Sequence, residues 1–420
     1  MPPKKEVFHP KMFDYEQAAY DAHRAAVVPV PEGLLASAPV LQCPAKGSMG
    51  VAFAVSAYSV GYAEVSDKPS MEGARRFISG EPPLGGCDDR VQLVRMTGLK
   101  PGRIYYYRVG AAALGMPTGY WTKQSEIVWS GVHSFTMPGA EAPSRFAMVT
   151  DTHGAWDSFG SSVSCLHRLA PPVWVLNGDV CTHSNTREDL IEAYLCPPKG
   201  ADYAADFPVL FNPGNHDYRG RGARLLPSVM MERPLAERAS AFGPLARNFA
   251  LRYGDIALIG LETGEDKPDE HPANGGFTRF TEHRRLQTRW LERQFKRPEI
   301  ASAPYIVAFV HIPIFDADPH ANPGTILENF ADWQGECGEF WGPILTANRV
   351  QLVLAGHCHR FRHDPAAPDR SWAQIVGGGP KNPTVIEGAV EDGALHVRVY
   401  DPLTDANLGE FTFAPRRPNA

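Results

Sequence analysis

The sequence predicts two structural regions, an N-terminal all-β sandwich over residues 41–138 and a C-terminal α/β domain over residues 146–415. The first region contains short strand-like runs with turn signals between them, which is typical of small β-sandwiches. The second contains apolar runs that end abruptly in polar residues, with helix-like segments such as residues 281–296 between some of them. Strands that alternate with helices indicate an α/β domain. Residues 138–145, PGAEAPSR, are predicted to link the two regions.

Composition limits the function classes open to this chain. Its 420 residues are 43% hydrophobic and 21% charged, which supplies enough apolar material for a packed core. Lysine and arginine number 41 against 47 aspartate and glutamate, for a net charge of −6, so we expect no general nucleic-acid-binding surface. No apolar run of about 18 residues occurs, so we expect no membrane-spanning helix and no membrane partner. The sequence does not indicate the oligomeric state.

The N-terminal segment and the cysteines bear on the compartment. Residues 1–40 are predicted to be a lead-in segment that packs on a domain, with one short helix over residues 14–26. The basic start is not followed by the apolar segment of a secretory signal. The seven cysteines have no regular spacing, which argues against a disulfide framework, although Cys43 and Cys87 could pair. These features favour a cytoplasmic protein, whereas removal of a signal peptide would make it secreted or periplasmic.

Four stretches carry the strand prediction in the first region. Residues 51–58 and 60–67 are strand-like runs, and residues 91–111 give a strand, a turn at residues 100–102 and a second strand with three consecutive tyrosines. Residues 132–137 give the last strand. The turn contains proline and glycine, which favour the backbone conformations of a chain reversal.

Polar side chains follow five apolar runs of the second region. These runs are residues 146–149, 173–176, 207–211, 305–310 and 350–355. In open α/β sheets, ligands bind beyond the carboxyl ends of the strands. The oxygen and nitrogen donors that follow the five runs are Asp151, His153, Asp179, Asn215, His216, His311, His357 and His359.

These donors together predict a metal centre. Each one alone has a structural explanation, as a cap, a turn residue or a hydrogen-bonded histidine, but chance does not explain donors at five successive strand ends. Oxygen and imidazole donors without thiolates suit Zn²⁺, Mn²⁺ or iron. Eight donors are too many for one tetrahedral site and suit two ions. Two dications about 4 Å apart repel by roughly 17 kcal/mol at an effective dielectric constant of about 20, so a shared carboxylate is needed, and Asp179 is the natural bridge.

The motifs D-x-H, G-D, G-N-H-D, V-H and G-H-x-H, in this order, resemble those of the calcineurin-like metallophosphoesterase superfamily. Together with LKPGRIYYYRVG at residues 99–110, the layout resembles a purple acid phosphatase with its N-terminal fibronectin type III-like domain. The resemblance implies that residues 41–138 are fibronectin type III-like. It also implies that the second region is a four-layer αββα catalytic domain.

The resemblance further implies a role for each donor. One metal site would consist of Asp151, His153, Asp179 and His359. The other would consist of Asp179, Asn215, His311 and His357. His216 matches the non-ligand histidine at the substrate phosphate, with Asp217 or another acidic neighbour to orient it, and His320 matches a substrate-facing histidine. Glu262 to Glu265 resemble a strand–loop element that supports the site without binding metal.

The sequence departs from purple acid phosphatases at two positions. Their first motif is D-x-G, whereas this chain has Asp151-Thr152-His153, and their metal-binding tyrosine is replaced by Thr182. The exchange implies a protein that is not purple and does not require Fe³⁺. The predicted cofactors are therefore two divalent or trivalent ions, with Mn, Zn, Fe and the mixed Fe/Zn and Fe/Mn pairs left open.

Arginines and aromatic residues near the motifs give weaker indications about the substrate. Arg219 and Arg360 are predicted to bind further anionic groups, together with Arg221, Arg224 and Arg362, which would favour nucleotides or other multiply charged substrates. A solvated loop surface explains these arginines equally well. The aromatic residues that either border the cleft or pack in the core are Trp156, Phe159 and Trp333. Cys181 and Cys358, inside the motifs, are interpreted as packing residues rather than nucleophiles.

The function predicted from the resemblance is hydrolysis of small phosphate monoesters by a metal-activated hydroxide. A phosphodiesterase acting on cyclic nucleotides or other diesters is the alternative, because D-x-H members of the superfamily include many diesterases. A third alternative is a catalytically inactive binding protein in which the β-sandwich is the working part. The intact donor set argues against this last alternative.

Overall fold

The computed structural model describes residues 10–81, 84–118, 121–200, 202–234, 237, 245–317 and 333–416. Strands dominate this part of the chain. The α-helices are α1 (Pro10–Ala25), α2 (Trp156–Leu169), α3 (Arg187–Tyr194), α4 (Phe280–Gln294), α5 (Pro298–Ala301) and α6 (Gly335–Ala347). The 3₁₀ segments are His216–Tyr218, Arg221–Ser228 and Pro272–Asn274. None of the helices among these residues has both the length and the apolar character needed to cross a membrane.

The strands divide between the two predicted regions. The strands before residue 138 are β1 (Val40–Ala45), β2 (Ser48–Ala54), β3 (Ser59–Ser66), β4 (Arg75–Ile78), β5 (Gly80–Glu81), β6 (Leu84–Gly85), β7 (Cys87–Asp88), β8 (Val91–Thr97), β9 (Ile104–Thr118), β10 (Trp121–Gln124), β11 (Val128–Trp129) and β12 (His133–Thr136). The later strands are β13 (Arg145–Val149), β14 (Trp174–Leu176), β15 (Val209–Phe211), β16 (Phe249–Tyr253), β17 (Ile256–Leu261), β18 (Tyr305–Val310), β19 (Leu352–Ala355), β20 (Arg362–Asp364), β21 (Ala373–Val376), β22 (Val385–Glu391), β23 (Ala394–Asp401) and β24 (Ala406–Phe413).

The N-terminal region consists of strands that pack around one core. Strands β1, β2 and β8 are neighbours in one sheet, whereas β3, β4, β7 and β9 to β12 form another. A single buried cluster draws on both sheets, with Val51 and Met96 from the first and Val65, Tyr107 and Phe135 from the second. The strands predicted in this region are therefore present and bury their apolar residues between two sheets.

One of these sheets continues into the α/β region. Strand β1 pairs in parallel with β15 through the register Gln42–Val209, which gives a nine-stranded sheet of order β24-β23-β22-β13-β14-β15-β1-β2-β8. The buried Gln42 side chain donates to the carbonyl of Val229 at 3.0 Å and accepts from the amide of Met231 at 2.7 Å. The sequence does not predict this pairing. Its physical reason is that β1 supplies partners for backbone groups of β15 that would otherwise remain unpaired at a sheet edge.

The hydroxyl of Tyr107 connects the second sheet to the α/β region. It is fully buried and donates to the carbonyl of Ala205 at 2.7 Å. We expect Tyr107→Phe to lower the free energy of unfolding by about 1–3 kcal/mol, because the buried carbonyl loses its partner. Urea unfolding measures this change. Tyr106→Phe, at a half-buried neighbour, is the control and should change the free energy by less than about 0.5 kcal/mol; an equal effect of both substitutions would contradict the role of the Tyr107 hydroxyl.

Helix α1 packs against β9 and β10 of the sandwich. The ring centroids of Tyr20 and His23 lie 5.7 Å and 5.4 Å from that of Trp121. The Lys123 ammonium donates to the carbonyls of His23 and Arg24, each at 3.0 Å. A cation at the carboxyl end of a helix satisfies carbonyls that lack helical partners and interacts favourably with the helix dipole.

The α/β region has four layers. The nine-stranded sheet faces a six-stranded sheet of order β16-β17-β18-β19-β21-β20 across a buried core that includes Phe146 and Phe309. Helices α2 and α3 cover the outer face of the first sheet, with Leu166 in that cluster, and α4 and α6 cover the second, with Leu291. This is the αββα order that the resemblance implies, and α4 is the helix predicted over residues 281–296.

Candidate metal centre

The predicted donors converge where strands of the two sheets end. Strands β13, β14 and β15 run parallel in one sheet, and β18 and β19 run parallel in the other, so the loops after them lie at corresponding edges. Seven donors fall into three overlapping groups, in each of which the ligand atoms lie within 4.8 Å of one another. The groups are Asp151 with His153 and His359, His153 with Asp179 and His216, and Asp179 with His311 and His357.

Five of the predicted ligands have a left-handed backbone. The φ angles are +53° at Asp151, +47° at His153, +54° at Asp179, +70° at His357 and +54° at His359. For most residues with a Cβ atom this conformation costs roughly 1–2 kcal/mol, and aspartate and histidine tolerate it better than most. Such residues persist only where the surrounding structure holds them, and they are concentrated at functional sites. The backbone therefore marks the same turns as the donor pattern.

Glycines beside the ligands have a steric role. A Cβ atom at Gly178 would lie 2.4 Å from the backbone nitrogen of Gly214. A Cβ atom at Gly214 would lie 2.2 Å from Asp179 Oδ1, and one at Gly356 would lie 2.3 Å from Asp151 Oδ2. These distances are too short for any side chain, so the turns approach each other closely only because these positions are glycine.

The first predicted ligand set is assembled with the spacing of a metal site. His359 Nε2 lies 3.0 Å from His153 Nε2 and 3.3 Å from Asp151 Oδ1. Asp179 Oδ2 lies 3.5 Å from His153 Nε2. Ligand atoms about 2.1 Å from one ion are separated by about 3.0–3.4 Å in octahedral or tetrahedral geometry. Two imidazoles and two carboxylates thus stand where they can bind one cation.

The second ligand set lies on the other side of Asp179. His311 Nε2 is 3.1 Å from Asp179 Oδ2, and His357 Nδ1 is 3.1 Å from Asn215 Oδ1. The His311 side chain is completely buried, and its Nε2 faces the Asp179 carboxylate. Imidazole, amide oxygen and carboxylate donors are ligands that suit a divalent transition-metal ion. The donor chemistry of this set therefore fits a metal ion.

The carboxylate of Asp179 faces both sets. Its Oδ2 lies within 3.5 Å of His153 Nε2 and 3.1 Å of His311 Nε2, while Oδ1 accepts from the backbone amide of His216 at 2.8 Å. This is the position that the sequence predicts for a bridging ligand. The oxygen and nitrogen donors suit zinc, manganese or iron without distinguishing among them.

Neighbouring groups fix the orientation of the ligands. His311 Nδ1 donates to the carbonyl of Asn177 at 2.7 Å, which directs Nε2 towards Asp179. Asp151 accepts from the amide of His357 at 2.8 Å and from the hydroxyl of Thr150 at 2.5 Å. Such supporting contacts hold the ligands in place before an ion binds.

When no ion is bound, protons on neighbouring histidines offset the negative charge of the buried carboxylates. Burial acts to lower the pKa of His311, but Asp179 and Asp151 raise it to about 10. The contact with Asp151 raises the pKa of His359, whereas burial lowers the pKa of His153 to about 4. Burial acts to raise the pKa of Asp179, but His311 and the other imidazoles hold it well below its usual range. Metal ions must therefore displace protons from the histidines.

We expect metal binding to release at least one proton per chain at pH 7. The raised pKa of His311 means that its ring holds a proton at this pH, so affinity should fall as the pH falls, by about tenfold per pH unit for each proton displaced. Calorimetric titration with Zn²⁺ in two buffers of different ionisation enthalpy measures the proton count. Binding without proton release would contradict this charge balance.

The neighbours of His216 hold its ring in place. Nδ1 lies 2.7 Å from the carbonyl oxygen of Thr182, which can only accept, so Nδ1 donates to it. Nη1 of Arg219 lies 2.8 Å from Nε2 and 3.3 Å from Nδ1, so the guanidinium contacts the face of the ring. Nε2 also lies 4.0 Å from Asp179 Oδ2. The ring thus stands next to the predicted bridging ligand.

The structure corrects the role predicted for Asp217. Its carboxylate does not orient His216 but accepts from the backbone amides of Asp179 at 2.9 Å and Gly214 at 2.7 Å, and from the Tyr194 hydroxyl at 2.6 Å. These contacts hold the turns that carry the ligands. The group that orients His216 is the Thr182 carbonyl.

The contacts of Arg219 also differ from its predicted role in substrate binding. Its Nε and Nη2 bind the carboxylate of Glu265 at 2.6 Å and 2.8 Å, and Nη2 reaches Asp266 at 3.2 Å. With Nη1 on His216, all three guanidinium nitrogens are engaged. Arg219 therefore contacts His216 on one side and the carboxylate of Glu265 on the other.

The remaining predicted residues lie in several environments. Arg360 is exposed in the turn after His359. Arg362 is paired with Asp316 at 3.0 Å and Asp364 at 3.1 Å rather than open to substrate. His320 lies outside the described residues.

The other aromatic and cysteine predictions concern packing. Phe159, on α2, is buried in the core, whereas Trp156 and Trp333 are partly buried. All seven cysteines are free thiols. Cys358 is buried, and burial raises the pKa of Cys181 to about 12, so neither thiol suits a nucleophile and the packing interpretation stands.

Sequence reasoning missed the contacts made by Thr182 and Tyr194. Thr182 acts through its backbone carbonyl, which leaves no signal in residue type. Tyr194 lies on α3, and the sequence gives no sign that its hydroxyl reaches the loop after β15. The spacing of Arg219 from His216 was a usable signal, because residues three apart in a 3₁₀ segment lie on the same side.

The sequence profile of calcineurin-like phosphoesterases matches residues 144–361, which contain every predicted ligand. Purple acid phosphatase 15 of Arabidopsis thaliana is 25% identical over 355 residues, covering 76% of this chain and 58% of that protein. Purple acid phosphatase 23 of the same plant is 21% identical over 325 residues, covering 72% and 65%. The chain thus spans less than two thirds of the length of these curated relatives.

A solved structure shares the fold of most of the chain. The purple acid phosphatase PPD1 from yellow lupin (Lupinus luteus) seeds superposes with a TM-score of 0.61 at 13% identity, covering 91% of this chain and 75% of that one. The match extends beyond the α/β region, because that region alone accounts for a smaller share of the chain.

Proposed function

Because the chain belongs to the calcineurin-like phosphoesterase family, we propose that it is a binuclear metal-dependent phosphoesterase that hydrolyses phosphate monoesters. The observation that carries the proposal is the Asp179 carboxylate, whose Oδ2 lies within 3.5 Å of a histidine from each predicted ligand set. That arrangement supports two ions that share one carboxylate. The purple acid phosphatase relatives support the monoester preference.

Each predicted ligand would bind one or both of the two ions. One ion would be bound by Asp151, His153 and His359, and the other by Asn215, His311 and His357. Asp179 would bind both ions. Two ions bound in this way supply Lewis acidity, which lowers the pKa of water and neutralises charge on the phosphoryl oxygens. The turns after the strands keep the ligand geometry fixed before the ester binds, so that little reorganisation is needed.

His216 and Arg219 would act on the phosphoryl group from the protein side. The Arg219 guanidinium lies against the face of the His216 ring, 2.8 Å from Nε2 and 3.3 Å from Nδ1. A guanidinium beside an imidazole supports stabilisation of negative charge in the transition state. Proton donation to the leaving group is the alternative role of this histidine.

The deciding experiment is a paired assay on protein repleted with Mn²⁺, Zn²⁺ or Fe²⁺. Hydrolysis of 4-nitrophenyl phosphate is compared with that of bis(4-nitrophenyl) phosphate by kcat/KM. We expect the monoester to be preferred by at least tenfold. A preference for the diester would replace this proposal by a phosphodiesterase, which is the alternative that His153 in the ligand set favours.

Metal content tests the remaining alternative of an inactive binding protein. We expect close to two ions per chain after repletion. Less than one ion per chain, with no activity towards either ester, would favour the binding protein and contradict the proposal.

Two further proposals concern the rest of the chain. We propose that residues 41–138 are a fibronectin type III-like module, supported by two sheets around the core of Val51 and Tyr107. We also propose a cytoplasmic location, supported by seven free thiols. Fractionation of the cells that make the protein tests the location.

A further inference from the structure

A cavity of about 790 Å³ lies beside His216 and its partner Arg219. It runs between the 3₁₀ segment Arg221–Ser228 and the loop that leads into α4. Its volume is in the range of pockets that hold whole small-molecule ligands. Arg219 lies between the cavity and His216, because the same guanidinium that lines the cavity contacts His216 Nε2 at 2.8 Å. A molecule in this cavity therefore lies next to the proposed reaction centre.

Two of the arginines that line the cavity have no ion pair. Five arginines and two glutamates line it. Arg219 is paired with Glu265, Arg247 with Glu232 at 3.9 Å, and Arg279 with Glu282. Neither Arg221 nor Arg224 has a hydrogen bond or ion pair through its side chain within the part of the chain that the structure describes, and both are exposed at the rim. Two unpaired guanidinium groups at a cavity mouth are suited to a phosphate or carboxylate.

Aromatic side chains form another wall. Phe277 is 64% exposed, which is unusual for a phenylalanine, and its ring lies 4.9 Å beneath the Arg224 guanidinium carbon. Tyr218 and Phe280 contact each other edge to face, with centroids 5.3 Å apart. Aromatic surfaces of this kind stack on planar rings.

The inner end of the cavity contains a nitrogen that lacks a partner. Arg247 Nε is buried and has no hydrogen-bond partner among the described residues. His283 Nε2 lies 3.6 Å from the carboxylate of Glu262, which also accepts from the Tyr218 hydroxyl. A ligand in the cavity can complete the buried donor of Arg247.

We propose that this cavity binds the alcohol part of the substrate, and that the substrate is a phosphate ester whose alcohol part carries a planar ring and a second phosphate. The ring stacks on Phe277, and the second phosphate binds Arg221 and Arg224. The scissile phosphate then reaches past Arg219 to the metal centre. This inference rests on the proposed function, which it extends from the reaction to the class of substrate.

The test compares four esters on the metal-loaded protein by kcat/KM. Adenosine 3′,5′-bisphosphate has both features, adenosine 5′-monophosphate has the ring, fructose 1,6-bisphosphate has the second phosphate, and glycerol 3-phosphate has neither. We expect the first to exceed each of the others by at least about tenfold, the usual effect of one charged hydrogen bond or more. Equal values for all four esters would overturn the proposal.

Single-residue variants show which side chains produce the preference for adenosine 3′,5′-bisphosphate. Arg224→Gln and Phe277→Leu each change an exposed side chain and should reduce the preference for adenosine 3′,5′-bisphosphate by about tenfold. Arg285→Gln is the matched control, because Arg285 also lies over a phenylalanine ring, at 5.6 Å from Phe340, but outside the cavity. A loss of preference in the control as large as in the two variants would overturn the proposal.

Calorimetric binding of adenosine 3′,5′-bisphosphate to the metal-free protein separates the two proposals. Binding that Arg224→Gln weakens, in a protein that hydrolyses no ester, would refute the phosphoesterase and leave the cavity assignment standing. Hydrolysis of simple esters together with no binding, or with binding that neither variant changes, would refute the cavity assignment and leave the phosphoesterase standing.

Discussion

Asp179→Asn should remove at least one metal ion per chain and lower kcat by at least about 10³-fold. Asparagine has nearly the same shape, but it withdraws the negative charge that lies between the two ligand sets. Two dications about 4 Å apart repel by roughly 17 kcal/mol at an effective dielectric constant of about 20, and a neutral amide offsets little of this. Metal analysis after gel filtration, with activity measured on the same sample, gives both results.

Asp206→Asn provides the control for this substitution. Asp206 is an exposed carboxylate that accepts from the amide of Ser134 at 2.8 Å, away from the metal centre. Its variant should keep both ions and its activity. Two tightly bound ions in Asp179→Asn would overturn the assignment of Asp179 as the bridge.

His216→Ala should lower kcat by about 10²–10⁴-fold while both ions remain bound, because His216 is beside the ligands without being one of them. If His216 stabilises charge together with the adjacent Arg219 guanidinium, the loss should be of similar size for esters with good and poor leaving groups. A series of aryl phosphates with leaving groups of different pKa measures this dependence.

His167→Ala is the control for His216→Ala. His167 Nε2 also contacts a backbone carbonyl, that of Asp202 at 2.8 Å, but it is remote from the ligands. It should keep full activity. A loss in His216→Ala that grows steeply as the leaving group becomes poorer would instead assign proton donation to this histidine.

Much of the site could be predicted from the sequence because the carboxyl ends of parallel strands lie at the same edge of a sheet. Buried runs such as residues 305–310 are recognisable from their apolar composition, and the polar residue that follows each run must then lie at the shared edge. Strand prediction thus placed Asp151 and Asp179 at the end of one sheet and His311 at the end of the other. That these two ends meet depends on how the sheets face each other, which the family resemblance implied and strand prediction alone did not.

The contacts that were not predicted from the sequence depend on the direction of side chains and on their distance in space. The order of residues along the chain does not determine either. Asp217 is adjacent to His216, but neighbouring residues in a helical turn do not face each other, and its carboxylate lies among backbone amides. Arg219, three residues on, is the side chain in contact. The pairing of Gln42 with Val209 joins strands far apart in sequence, and no local pattern predicts it.

The left-handed turns have a consequence for the evolution of this chain. The five ligand residues with positive φ angles are all aspartates or histidines, which adopt this conformation more readily than most residues with a Cβ atom. The residue types that bind a cation are therefore also types that these turns tolerate. A β-branched or bulky residue at Asp151, His153, Asp179, His357 or His359 would remove a ligand and strain the backbone at the same time.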